Sequence, residues 1–141
     1  MSVEQHKATF HRWIEEGWNR GDLSVVDQLY APAYVSHSFP PDFPPDREGL
    51  KQFVTAFRTA FPDLHWTLDD VVSEGEKVIA RMTGTGTHRG EFMGVAATGK
   101  SFSVNGFLQA RFEDGKWAED WVSLDQLGML QQLGVVPTPG G

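Results

Sequence analysis

The chain has 141 residues, a length that suits one hydrophobic core, so we expect a single domain over 1–141 with its core at about 5–136. It carries 19 acidic and 12 basic residues, a formal net charge of −7, and the basic residues are scattered singly. This pattern excludes the basic patches typical of proteins that bind nucleic acid or anionic membranes. The absence of cysteine excludes disulfides, thiol nucleophiles and zinc–thiolate sites.

No targeting or membrane-spanning segment is visible in the sequence. The stretch 1–13 is polar and mixed, without the apolar run of a signal peptide. No run of about 18 apolar residues occurs anywhere in the chain. We therefore expect a cytoplasmic protein.

The first half of the chain shows helical spacing of its apolar residues. Phe10, Trp13, Ile14 and Trp18 recur at the intervals of one helix face, which predicts a helix over 3–19. The next predicted segments are, in chain order, a second helix at about 23–30 with Tyr30 on its apolar side, an extended piece ending near His37, a loop with four prolines over 39–46, and a third helix over 46–60 capped by Asp46.

The second half changes to the alternating pattern of strands. The predicted strands are Leu64–Ser73, Lys77–His88, Lys100–Phe112 and Lys116–Leu124, followed by a helical turn or two over Asp125–Leu133 and a frayed tail over Pro137–Gly141. Three N-terminal helices followed by an antiparallel meander favour an α+β fold, with a curved sheet around packed helices. Such a sheet leaves a cone-shaped cavity suited to a small molecule.

Asp120 is the most informative residue of the last predicted strand. It shares a strand face with Val122 and Leu124, which points it toward the core. A buried carboxylate costs several kcal/mol unless it is paired or functional. Asp120 is therefore a paired or solvated carboxylate at the rim, or the acid/base of a pocket whose apolar walls raise its pKa.

Glu119 and Asp125 point to the opposite face of the same strand. The antiparallel hairpin brings Arg111 within reach of them. We expect these two carboxylates to be structural or interface charges.

Two histidines are further candidates for catalysis. His37 ends the extended piece beside the proline loop, where it either acts as a general base or orients a substrate carbonyl, or is a surface or hydrogen-bonded structural histidine. His88 follows Met82 and Gly84 on one strand face, and we favour a place in the pocket wall over a capping role. His37, His88 and Asp120 form a possible set of metal ligands, but their spacing matches no metal motif, so no metal site is expected.

Five short segments resemble one known family. They are Glu16–Asp22, Val35–His37, Phe61–Trp66, Gly86–Gly94 and Gly128–Gly134, and together they are similar to the SnoaL-like polyketide cyclase / ester cyclase family of the NTF2-like superfamily. The resemblance covers about residues 5–136. It implies the NTF2-like (cystatin-like) cone fold, a homodimer packed sheet to sheet, a hydrophobic pocket and no obligatory cofactor.

The resemblance also marks two positions where this chain departs from the family. Its best-studied members close a ring by an intramolecular aldol step on an ester-bearing polyketide, with an Asp as acid/base. Alignment on the downstream Leu-Gly motif places that Asp at Val122 and a pocket His of those cyclases at Leu108. The fold therefore transfers more readily than the reaction.

The leading hypothesis is a small cofactor-free enzyme for a hydrophobic carbonyl- or epoxide-bearing molecule, acting by acid/base cyclisation, isomerisation or hydrolysis. Asp120 would be the acid/base, and His37 and His88 would polarise or orient the substrate. The expected substrate-binding residues are Trp18, Phe57, Phe92, Met93, Leu108 and Val122. The alternatives are a non-catalytic binding module for an apolar ligand and a structural dimer whose cavity is filled.

Overall fold

The structure, a computed structural model, describes residues 2–136, so the predicted tail lies outside the described residues. Its first helix, α1 (Val3–Arg12), begins at Ser2, whose Oγ accepts a hydrogen bond from the Gln5 amide at 3.1 Å. The helix continues as a π-helical segment over Trp13–Asn19. The prediction of a helix over 3–19 is confirmed.

Two further helices precede most of the sheet. Helix α2 (Ser24–Leu29) ends one residue before Tyr30, which begins strand β1. The prediction that Tyr30 belongs to the helix is wrong, because the backbone turns extended at that residue. Helix α3 (Arg47–Ala60) begins at Asp46, whose carboxylate accepts from the Gly49 amide at 2.9 Å as predicted.

The sheet has five strands in the order β1-β5-β4-β3-β2. Their bounds are β1 Tyr30–Ser36, β2 His65–Glu74, β3 Lys77–Thr87, β4 Ser101–Glu113 and β5 Lys116–Leu124, and helix α4 (Gln126–Gln132) follows β5. Strands β2 to β5 form the predicted antiparallel meander. Strand β1 pairs in parallel with β5, so the curved, open sheet is mixed and not wholly antiparallel.

One irregularity in the pairing of β4 with β5 positions side chains of the site. Arg111 pairs with Glu119, but its neighbour Phe112 pairs with Trp117, which leaves one extra residue on β5. Such a bulge changes which side chains share a face of the strand. Trp117 and Asp120, three residues apart, therefore both point toward the helices and are buried.

The glycines of β3 make room for aromatic rings. A Cβ at Gly84 would lie 2.4 Å from the ring of Trp66, and a Cβ at Gly86 would lie 2.9 Å from Phe102 and 3.1 Å from Phe61. The space that these glycines leave is thus filled by the core itself. The prediction that the small residues on this strand face leave open space for a cavity is therefore wrong at these two glycines.

The sheet face away from the helices keeps several apolar side chains exposed. Ile79, Phe107 and Trp121 are 40%, 50% and 40% exposed. This face is the one that the predicted homodimer would use, and the homodimer stays a prediction. Within residues 2–136, no helix has both the length and the hydropathy to cross a membrane.

Replacing Gly84 by alanine should destabilise the protein. The new methyl group would meet the ring of Trp66, which is 5% exposed and cannot move into solvent. We expect the free energy of unfolding to fall by about 1 to 3 kcal/mol in urea denaturation. Thr85→Val, on the exposed face of the same strand, is the control and should change it by about 0.5 kcal/mol or less. Equal stability of Gly84→Ala and the parent protein would contradict this packing.

Candidate active site

A cavity of about 100 Å³ lies between the helices and the sheet. Its wall is mainly aromatic and aliphatic, formed by Trp13, Ile14, Trp18, Phe39, Leu50, Phe53, Phe57, Trp66, Met82, Leu108, Val122 and Leu124. The polar side chains in the wall are those of Asp120, Tyr30, Tyr34, Ser38 and Gln126. This is the usual composition of a small-molecule site, an apolar pocket with few polar groups.

Asp120 is the one carboxylate in this wall, and it is 4% exposed. The Tyr34 hydroxyl donates to its Oδ1 at 3.1 Å and to its Oδ2 at 2.9 Å. The indole Nε1 of Trp117 donates to Oδ2 at 2.9 Å. Oδ2 thus receives two donors and Oδ1 shares one, which leaves Oδ1 with the greater free acceptor capacity.

The surroundings of Asp120 favour its protonated form. Burial raises the pKa of this carboxyl from 3.8 to about 6, against the opposing effect of the hydrogen bonds from Tyr34 and Trp117. Burial, together with the nearby Asp120 charge, also raises the pKa of Tyr34 far above its usual value of 10. Tyr34 therefore stays a neutral donor, while Asp120 changes charge near neutral pH.

Tyr30 completes the polar end of the cavity. Its ring meets the Tyr34 ring edge-on at 4.7 Å between centroids and stacks on Trp117 at 4.8 Å. Burial raises the pKa of Tyr30 well above 10, and the charge of Asp120 adds to the effect. The Tyr30 hydroxyl has no hydrogen-bond partner among residues 2–136.

The structure places the side chain of His37 on the other face of the sheet from Asp120. Its ring stacks on Trp121 at 4.7 Å, and its Nε2 lies 2.7 Å from Glu119 Oε2. Glu119 also accepts a hydrogen bond from Arg111 Nε at 2.6 Å. The bond from Arg111 has the larger effect and the bond from His37 the smaller, and both lower the pKa of the Glu119 carboxyl. His37 thus contacts the ion pair of Arg111 and Glu119 and lies outside the cavity wall.

His88 is fully buried but does not line the cavity. The Thr98 amide donates to His88 Nδ1 at 3.2 Å, and Thr98 Oγ1 lies 3.0 Å from the same atom. This ring holds the connection between β3 and β4 together and packs beside Phe61. In the described part of the chain, no three His, Asp or Glu side chains are grouped as a metal site.

Four of the six expected binding residues line the cavity: Trp18, Phe57, Leu108 and Val122. The other two, Phe92 and Met93, border a neighbouring groove of about 480 Å³. Phe53 and Phe57 belong to the walls of both spaces. Asp125, expected to be structural, caps α4 by accepting from the Gly128 amide at 2.9 Å.

Leu108 and Val122 face each other across β4 and β5 and both contribute to the cavity wall. They are the positions where the resemblance places a His and an Asp. Both are apolar here, so Asp120, two residues before Val122 on the same strand, is the carboxylate that remains in the wall.

Tyr30 and Tyr34 were missed as site residues by the sequence reasoning. Their separation of four residues fits a helix face as well as a strand face, and Tyr30 was assigned to the helix. The available signal was the even spacing of Tyr30, Tyr34 and Ser36 just before the proline loop. In strand geometry, an even spacing directs side chains to one face, and all three are buried.

The fold and the site can be compared with known proteins. Three solved structures are similar to this chain. TsrD from Streptomyces laurentii has 31% identity and a TM-score of 0.88 over 96% of this chain and 99% of that chain. The putative hydroxylase AclR from Streptomyces galilaeus has 32% identity and a TM-score of 0.83 (96% and 100% covered), and the putative polyketide cyclase IdmH from Streptomyces antibioticus has 36% and 0.80 (93% and 99% covered). None of the curated proteins compared with the chain matches it. The sequence profile of SnoaL-like polyketide cyclases matches residues 8–133. The chain therefore belongs to the SnoaL-like polyketide cyclase family.

Proposed function

We propose that this protein is a cyclase-like enzyme that uses Asp120 as the acid/base on a hydrophobic carbonyl-bearing small molecule. The observation that carries the proposal is the burial of Asp120 in an apolar cavity wall, which raises its pKa to about 6. A base that titrates near the working pH is best suited to proton transfer. Membership of the cyclase family supports the same class of reaction.

The proposed step begins with proton removal from the carbon next to a carbonyl. The C–H bond breaks, the proton passes to Oδ1 of Asp120, and the electron pair enters the enolate. In a cyclisation, the enolate carbon then attacks a second carbonyl of the same molecule and forms a C–C bond. The resulting alkoxide takes the proton back from Asp120, so the carboxylate is regenerated.

Tyr34 and Trp117 support this role by fixing the carboxylate. Their donors hold Oδ2 at 2.9 Å each, which orients Oδ1. A group held in one orientation needs little rearrangement during the reaction. Tyr34 and Trp117 are therefore positioning residues in this proposal.

The cavity limits the size of the substrate. A volume of about 100 Å³ is about two thirds of the roughly 150 Å³ of an apolar cavity that binds benzene, so a substrate with a ring requires the wall to adjust. Phe53 and Phe57 line both the cavity and the neighbouring groove, so a substrate long enough to extend from one to the other would contact these two rings.

A non-catalytic binding protein is the second candidate. The observation that favours it is the internal pairing of Asp120, since both carboxylate oxygens already accept hydrogen bonds. In that case the cavity would hold an apolar ligand without changing it.

Asp120→Asn separates the two candidates in an exchange assay. Ethyl acetoacetate in D₂O loses its C2 protons when a base removes them, and NMR follows the loss. We expect the parent protein to accelerate this exchange, with a rate that rises with pH through about 6, where Asp120 ionises. Asp120→Asn should lower the accelerated rate by about 100-fold or more and retain binding of the ester.

Glu119→Gln is the matched control, because this neighbouring carboxylate lies outside the cavity wall. It should leave the exchange rate unchanged. If the parent protein does not accelerate exchange, or if Asp120→Asn accelerates it equally, Asp120 is not the base and the binding role is favoured.

Stability against pH tests the burial of Asp120 separately. Because its pKa is raised in the folded state, the folded protein binds this proton more tightly than the unfolded chain. The stabilisation is complete below about pH 4 and is lost as the pH rises through about 6. The free energy of unfolding of the parent protein, minus that of Asp120→Asn, should fall by about 2 kcal/mol from pH 4 to pH 8. A flat or rising difference would show a carboxyl with an ordinary or lowered pKa.

A further inference from the structure

Two buried hydrogen-bond donors in the cavity wall lack a protein partner. Among residues 2–136, the buried side-chain atoms without a hydrogen bond are Tyr30 Oη, Trp66 Nε1 and His88 Nε2. Two of these three residues, Tyr30 and Trp66, line the cavity, and they are only 1% and 5% exposed. Folded proteins seldom leave a buried polar group unpaired, so such a group indicates a ligand or a bound solvent molecule.

Both donors are held firmly by their surroundings. The Tyr30 ring is enclosed by Trp13 at 5.2 Å, Tyr34 at 4.7 Å and Trp117 at 4.8 Å between ring centroids. These three contacts fix the position of its hydroxyl oxygen. A donor fixed before binding loses little conformational entropy when a ligand arrives.

The second donor is fixed through its backbone and its ring. Asn19 Oδ1 accepts from the Trp66 amide at 2.7 Å, and Asn19 Nδ2 donates to the Trp66 carbonyl at 2.9 Å. The indole ring covers Gly84 and meets the ring of Trp18 edge-on. The side chain of Trp66 thus has little freedom to turn its N–H elsewhere.

We propose that Tyr30 and Trp66 are the ligand-binding donors of this cavity, and that their O–H and N–H groups hold the oxygen acceptors of a neutral ketone or ester. An indole N–H can only donate, and Tyr30 stays protonated because burial raises its pKa. The residues that line the cavity thus include two buried donors without a protein partner among residues 2–136, together with the acceptor Asp120. Tyr30 and Trp66 come from the two edge strands of the sheet, so they approach a ligand from different sides.

This inference rests on the proposed function, since it assigns further groups of the same site. In the proposed reaction, a donor at the carbonyl oxygen would stabilise the negative charge that develops as Asp120 takes the proton. Binding by the two donors does not require proton transfer, so the two proposals can fail separately.

The test compares two ligands that differ at one atom. Acetophenone carries a carbonyl oxygen where its isostere α-methylstyrene carries a CH₂ group, and both are small single-ring molecules of nearly equal size. Their dissociation constants are measured by NMR titration for the parent protein, Tyr30→Phe, Trp66→Phe and Met82→Leu. Met82→Leu alters the apolar wall without removing a donor and is the matched control.

We expect the preference for acetophenone over α-methylstyrene to fall about tenfold in Tyr30→Phe, in Trp66→Phe or in both, and to persist in Met82→Leu. The ratio of the two affinities cancels any change in packing that affects both ligands alike. If one variant does not fold, the other still gives the comparison.

An unchanged affinity ratio in both donor variants would overturn the inference, because the two donors would then not bind the ligand. Failure of the parent protein to bind acetophenone would overturn it as well. If the ratio falls while Asp120→Asn leaves proton exchange unaffected, the donors bind the ligand but the proposed base is wrong. If the ratio stays constant while Asp120→Asn abolishes exchange, the base stands and the donors do not bind the ligand.

Discussion

The arrangement of this site depends on how a buried carboxylate is held. Asp120 would be costly in an apolar wall without donors, and the hydrogen bonds from Tyr34 and Trp117 offset part of that cost. Each donor requires a feature of the sheet. The parallel pairing of β1 with β5 brings Tyr34 to Asp120, and the bulge in β5 turns Trp117 to the same face. The opposed effects of burial and hydrogen bonding leave the pKa near neutrality.

Most of the elements could be predicted from the sequence because their signals are local. The spacing of apolar residues gave the helix over 3–19, the carboxylate of Asp46 gave the start of α3, and the alternation around the tight turn gave the hairpin of β4 and β5. The parallel pairing of β1 with β5 joins segments more than 80 residues apart, so no local sequence pattern predicts it. The bulge also has no signal, because it depends on the fit between two strands.

The site was predictable in part for the same reason. Strand parity alone directed Asp120 toward the core, and the structure places it there. The alternation of side chains along a strand could not predict the direction of the His37 side chain. The contacts of its ring with Glu119 and Trp121, outside the cavity, set that direction. The same alternation could not show that the space beside Gly84 is occupied, because the ring of Trp66 that fills this space comes from another strand.

The proposed chemistry requires that the buried Asp120 ionises near neutral pH in the cavity wall. The most direct test is a ¹³C NMR titration of the Asp120 carboxyl carbon in isotopically labelled protein, with Asp120→Asn used to assign the signal. We expect an apparent pKa of about 6, raised by burial. A midpoint at or below the ordinary aspartate value of 3.8 would instead show a solvated or strongly paired carboxylate, which cannot serve as a base tuned near neutral pH.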